Sequence, residues 1–148
     1  DEILLFGEIF SIDIDEAKEL RELLQKVKIS NKESIIRCYE RFYKNYALSY
    51  ITQRTAHFAE VMQLNYSELK FKKMRSRWGS CSSKGVIVFN TELIKLDKKL
   101  IDFIIVHELS HLKHMNHSRE FHALVRSYIT DAKALNQKLK MVHSYQFV

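Results

Sequence analysis

His107-Glu108-Leu109-Ser110-His111 is the segment of this chain whose residue types and spacing could do chemistry. Each α-helical residue turns about 100°, so side chains four apart lie nearly over one another. Two imidazoles placed in this way can reach one metal ion. Glu108, one position on from His107, stands beside the pair and can address a water on that ion without ligating it. Zinc lowers the pKa of a bound water to about 7, and a carboxylate can then take the proton. The chemistry to which this spacing points is metal-assisted hydrolysis.

Short motifs recur by chance, and two features of context raise this one. The residues before it, Leu100, Ile101, Ile104, Ile105 and Val106, are strongly apolar, so a buried helix would be presenting polar groups. His117 follows His111 by six residues, past an expected helix break near Met115-Asn116, and that gap lets the chain fold back to offer a third nitrogen. Three protein ligands and one open position make the zinc site that catalysis requires, whereas a closed structural site needs a fourth ligand, and no Cys is near. His114, three after His111, is the alternative third ligand. His117 is preferred because a ligand beyond a turn converges more easily on a tetrahedral site. His122 is expected to pack or to face solvent. The rival reading is a His-rich surface run without metal, since five of the seven histidines fall between 107 and 122.

The elements that must position these residues follow from the pattern of the chain. With no proline and only three glycines, helices can run long. Leu4 to Ile14 alternates weakly and predicts a short strand. A helix is predicted from Asp15 to about Val27, with Leu20, Leu23, Leu24 and Val27 on one side. Ser30 and Glu33 have capping-box spacing and predict a long scaffold helix to about Gln63. Leu69–Cys81 and Val86–Asn90 predict the two strands of a hairpin turned by Ser82–Gly85. Asp97 should cap the helix that carries the histidines, Ser118 the next, and Asp131 a last one to about Met141.

A chain of 148 residues fits one domain with one core. No apolar run is long enough to span a bilayer, and the acidic start DEILLFGEIF is unlike a secretory signal. Cys38 and Cys81 form no CxxC pair, which argues against a disulfide framework and for a reducing cytoplasm. A net charge of +6 permits contact with polyanions without requiring it.

Three stretches carry a resemblance: Arg75-Ser-Arg-Trp-Gly-Ser-Cys-Ser82, Asn90-Thr-Glu-Leu93, and Val106-His-Glu-Leu-Ser-His-Leu-Lys-His-Met-Asn-His-Ser118 with Phe121. They closely resemble the YgjP-like family of predicted zinc-dependent metallopeptidases, related to the SprT-like proteases, most strongly over residues 71–125. The resemblance implies an α+β, zincin-like fold, mostly helical, with a small β-hairpin or sheet beside the HExxH helix. It implies one zinc ion held by His107, His111 and His117, with Glu108 as catalytic acid/base and a peptide or protein as substrate. It also leads one to expect a single metallohydrolase domain over 1–148 that has only the tail of the family's β-rich stretch ahead of the long helix. The H-E-x-x-H-x5-H spacing is shared with metzincins, but those carry Gly where this chain has His114, so that clan is not assigned.

Beside a zincin-like helix, the RSRWGSC strand could pair with an extended substrate. Arg75 or Arg77 could stabilise an oxyanion. Trp78 could wall the cleft, or it could pack in the core with Gly79 allowing a close backbone approach. Asn90, at the hairpin end, could hydrogen-bond a ligand or only cap the turn, and the cap is preferred. Two other functions compete. The same site could hydrolyse a nucleotide phosphoanhydride, with Arg75, Arg77, Lys72 and Lys73 supplying charge. Or the chain could be a DNA-associated, nucleic-acid-binding module, since Lys70, Lys72, Lys73, Arg75, Arg77 and Lys84 crowd the predicted hairpin beside Trp78.

Overall fold

The scaffold of the molecule is one long helix, α2, Lys32–Met62, seen in a computed structural model that describes residues 1–142. Its buried residues, Cys38, Phe42, Ala47, Ile51, Thr55, Ala59 and Met62, recur every three to five positions. That spacing draws one apolar stripe along a helix. The cap is Asn31 rather than the expected Ser30: the Asn31 side chain accepts from the Ser34 N–H at 2.8 Å. Asn31 has the extended backbone that a cap needs, and its oxygen reaches the orphan donor three residues on. The helix stops where Gln63 turns left-handed (φ 56°) and gives its N–H to the Ala59 and Glu60 carbonyls.

The first residues form a hairpin, where a single short strand was predicted. Strands β1 (Glu2–Leu5) and β2 (Glu8–Ser11) pair antiparallel about a two-residue turn, Phe6-Gly7. Both turn residues have positive φ, 53° and 80°, as the tight turns that match strand twist demand. Phe6 pays for its strained backbone with contacts: its N–H reaches the Ile94 carbonyl at 3.0 Å and its ring lies 4.8 Å from that of Tyr50. A 3-10 turn, Asp15–Ala17, then leads into α1, Lys18–Gln25.

The sheet also departs from the predicted hairpin. Strands β4 (Gly79–Cys81) and β5 (Val86–Asn90) do form it, through a turn in which Gly85 has φ 81°. The residues predicted as one strand with β4 divide, however. Glu68–Lys72 is a separate strand, β3, which pairs parallel with β5 on its other side, giving the order β3-β5-β4. The chain between β3 and β4 must therefore cross an end of the sheet. Asn90, fully buried, holds that crossing. Its Oδ1 accepts from Met74 N (3.3 Å) and Glu92 N (3.0 Å), and its Nδ2 donates to the carbonyls of Met74 (3.0 Å) and Arg77 (2.9 Å). It thus caps the 3-10 helix Thr91–Lys95, as expected, and clamps the loop as well.

Asp97 caps α3, Lys98–Ser110, by accepting from Lys99 N at 2.8 Å. Every residue from Phe103 to Ser110 is buried, because α3 lies against α2, β4 and the two following helices, α4 (Arg119–Tyr128) and α5 (Ala132–Val142). Arg54 of α2 grips Asp102 of α3 with two hydrogen bonds, 3.1 and 2.8 Å. Helix α3 sits beside a three-stranded sheet in a mostly helical α+β chain, and no described helix is long and apolar enough to cross a membrane.

Replacing Asn90 with Ala would leave two carbonyls and two N–H groups of a part-buried loop without these partners. At about 1–3 kcal/mol for a fully buried group and less where water can take the place of the partner, the expected loss is roughly 2 kcal/mol. Urea unfolding of Asn90→Ala measures it; a loss under about 1 kcal/mol would show that the loop does not depend on this clamp.

Candidate active site

The last turn of α3 and the chain after it bring three imidazoles together. Candidate ligand atoms of His107, His111 and His117 all lie within 4.8 Å of one another. His107 and His111 are nearly buried, at 6% and 2% exposure, and His117 stands at the surface. The helix ends at Ser110, sooner than the break expected near Met115-Asn116. From His111 the chain tightens into i→i+3 bonds, Leu112 N to Leu109 O and Lys113 N to Ser110 O. His111 Nδ1 lies 3.0 Å from the His114 carbonyl. A carbonyl only accepts, so that ring is protonated at Nδ1 and its Nε2 keeps a lone pair.

The donor set fits a zinc ion. His117 Nε2 stands 3.1 Å from His111 Nε2. Two nitrogens bound to tetrahedral zinc at 2.0–2.1 Å would be about 3.3 Å apart. His114, the alternative third ligand, contributes its backbone carbonyl instead, and its ring is outside the cluster. His122 is exposed, its ring 6.1 Å from that of His117.

Burial sets the charge states. It pushes the His107 ring down to about 2, helped by repulsion from His111, His117 and His122. His117 is lowered too, by burial first and then by His111 and His122. Neutral imidazole is the form that ligates metal. Glu108 is fully buried, and neither carboxylate oxygen has a hydrogen-bond partner among the described residues. Burial holds its carboxyl well above the ordinary value, against a lowering pull from the Arg77 guanidinium. A buried carboxylate without partners is expensive. A dication near it would offset that penalty.

The other candidates separate. Arg77 is exposed yet near enough to act on Glu108; Arg75 is exposed with no such link to it among the described interactions. Trp78 is 1% exposed and belongs to the core cluster, the packing alternative of the two weighed for it. Gly79 does allow a close approach, to Glu108 itself: a Cβ there would stand 3.1 Å from Glu108 Cγ. Cys81 lies outside the ligand cluster, its thiol pushed up to about 11 by burial and then by the Glu108 charge. The basic run does not crowd one hairpin. Lys70 and Lys72 are on β3, at the sheet edge away from β4, and Lys70 and Lys73 are within 4.0 Å of Glu68, Glu40 or Glu92.

Phe121, which the sequence offered only as part of the resemblance, is the site residue whose role the sequence hid. Its ring stacks on His111 at 4.5 Å and meets His107 and His117 edge-on at 4.9 and 5.0 Å. In the sequence it is one more apolar residue of a helix stripe, although its place three after the cap Ser118 (whose Oγ accepts from Phe121 N at 3.2 Å) fixes where α4 begins.

A family model, the YgjP-like metallopeptidase domain, matches residues 1–141. The chain belongs to this family. As a YgjP-like metallopeptidase it is a metal-dependent hydrolase. No similar sequence was found among curated proteins. Two solved structures share its fold. The metallopeptidase zymogen abylysin of Pyrococcus abyssi aligns with TM-score 0.60 at 19% identity, over 66% of this chain and 99% of that one. The zymogen jannalysin of Methanocaldococcus jannaschii aligns with TM-score 0.55 at 23% identity, over 62% and 94%. The architecture of this YgjP-like chain is thus the zincin-like one that the resemblance implied. Neither the family match nor these structures supports a nucleotide or nucleic-acid partner.

The raised Glu108 carboxyl has a consequence for stability. Below its ordinary value, folded and unfolded chains are both protonated. As pH rises from there through the folded value, the unfolded chain ionises first and the fold loses stability. His107 acts with the opposite sign: its contribution is present above its ordinary value and is lost as pH falls. It is common to the wild type and Glu108→Gln, so it cancels between them. In chelator, the stability advantage of Glu108→Gln over wild type should therefore grow from about pH 5 to pH 8. Urea midpoints that differ by a constant amount across that range would show that Glu108 titrates normally.

Proposed function

We propose that this metallopeptidase holds one zinc ion through His107, His111 and His117 and cleaves peptide bonds with Glu108 as general base. What carries the reading is the convergence of three imidazole nitrogens within 4.8 Å of one another, with a fully buried carboxylate next to His107 on the same helix. Zinc, when bound, supplies Lewis acidity, polarising the scissile carbonyl and lowering the pKa of water. Burial favours the protonated form of Glu108, and the positive charge around it favours the ionised form. The two together suit a group that must both take and release a proton. Glu108 accepts a proton from the attacking water and returns it to the nitrogen of the leaving amine. His111 is kept in one tautomer by its Nδ1–H donating to the His114 carbonyl, which leaves Nε2 as the donor atom. The packed walls of α3 exclude bulk water from the carboxylate. Arg77, whose charge already reaches Glu108, is the arginine that would meet negative charge developing on the substrate oxygen.

Purified protein loaded with zinc is expected to cleave fluorescent casein, and chelator to stop it. Glu108→Gln should lower turnover by at least about 100-fold while zinc still binds. His117→Ala should weaken zinc binding measured with a competing chromophoric chelator. Full turnover in Glu108→Gln would sink the role of that residue, and release of phosphate from a nucleoside triphosphate without casein cleavage would replace the substrate class.

The two arginines should also part company. Arg77→Ala is expected to reduce kcat/KM by about 10-fold or more, and Arg75→Ala by less than about twofold. Equal effects would remove Arg77 from its role.

A further inference from the structure

The geometry points to Gly79 as the positioning residue for Glu108: the space in which a side chain at 79 would stand is filled by the stem and carboxylate of that acid. The inference rests on the reading of Glu108 as general base, and it adds the residue that aims it.

Gly79 is buried at the start of β4, opposite Phe89 of β5. Its glycine is not demanded by backbone conformation. Phe6, Gly7, Gln63 and Gly85 are the described residues with positive φ, and Gly79 is not among them. What leaves no place for a side chain is space. An ideal Cβ at 79 would lie 3.1 Å from Glu108 Cγ, 3.1 Å from Glu108 Oε2 and 3.2 Å from the Val88 carbonyl oxygen. Carbon contacts ordinarily settle at about 3.5–4.0 Å. The Val88 oxygen belongs to the ladder between β4 and β5, with Ser80 opposite Val88, and cannot withdraw without breaking the sheet. The Glu108 side chain can turn about its own bonds. It is therefore the group that a methyl at 79 would displace.

No described group hydrogen-bonds either Glu108 oxygen. Packing thus sets the direction of the carboxylate, and Gly79 is the wall on the β4 side. Contacts of 3.1 Å require the acid to give by a few tenths of an ångström, and since about 1 Å at a reacting group can lower a rate by about 100-fold, the smaller shift is expected to lower it by about 10-fold. None of the three nearest atoms to that Cβ belongs to a histidine, so aim and metal affinity should separate.

Four proteins test this: wild type, Gly79→Ala, Glu108→Ala and the double variant. Without metal, Gly79→Ala should lower the thermal midpoint by about 5 °C. In the Glu108→Ala background, where Cγ and the carboxylate are gone, the same change should cost less than half as much. With zinc, Gly79→Ala should bind the ion within about threefold of wild type, and its kcat on casein should fall by about 10-fold or more with KM little changed. If Gly79→Ala fails to fold, folding of the double variant upholds the proposal, and failure of both overturns it. Equal midpoint losses in the two backgrounds would assign the strain to the Val88 oxygen and overturn it as well, as would an unchanged kcat. A wild type that cleaves no casein would count against the peptidase reading alone, since the metal-free comparison still decides the role of Gly79.

Discussion

The placement of a carboxylate inside the hydrophobic core is the constraint from which the rest of the structure follows. Glu108 lies on a helix turn whose neighbours, Ile104, Ile105, Val106 and Leu109, are all completely buried. A folded domain of this size keeps a net stability of only about 5–15 kcal/mol. An ionised group without partners would consume several of these. Burial shifts the balance toward the protonated acid, and a cation held by the donor set proposed above would offset the cost of the ionised form. Stability is supplied at a distance from the site, by the stripe along α2 and by the paired grip of Arg54 on Asp102.

Helix geometry alone gives two histidines on one face; it does not give three converging nitrogens. The third comes from ending α3 at Ser110 and restarting at Ser118. Between them the His111 ring ties itself to the His114 carbonyl, so one candidate ligand side chain shapes the turn that delivers the next candidate. Phe121 then fills the space among the rings. Rotamer freedom that would otherwise be lost on binding an ion is removed by packing beforehand, which is the sense in which such a site is preorganised.

The parts of this arrangement that were readable in the sequence are those set by local chemistry. The HExxH spacing, the caps Asp97 and Ser118 and the turn at Gly85 depend on residues within a few positions of one another. The parts that were not readable depend on distant partners. Phe6 accepts a left-handed backbone because Ile94 and Tyr50 receive it. The run 69–81 divides because Phe71 finds Phe89 across a parallel pairing, and an alternating pattern does not record which neighbour a strand will take. The early end of α3 was hidden for a related reason: no Gly or Pro marks it, and its last carbonyls are taken by backbone N–H groups of the tightening turn, Leu112 N to Leu109 O and Lys113 N and His114 N to Ser110 O. Phe121 was visible as a buried residue and invisible as the brace of three imidazoles.

Splitting the strand also decides what faces Glu108. With β3 on the far side of β5, the short strand β4 becomes the edge that meets α3. The end of the loop before it and its own first residue are three consecutive residues with different duties. Arg77 leaves its side chain in solvent with its charge reaching the carboxylate, and its carbonyl is tied to Asn90. Trp78 drives the largest side chain of the chain into the core. Gly79 leaves room for the acid. A bulky anchor immediately before a residue with no side chain keeps the backbone at 79 from drifting, because any shift there would have to move the indole as well. The position of the carboxylate is therefore set by α3, which carries it, and by the wall at 79, which the packing of Trp78 and the Asn90 bond to the Arg77 carbonyl hold in place.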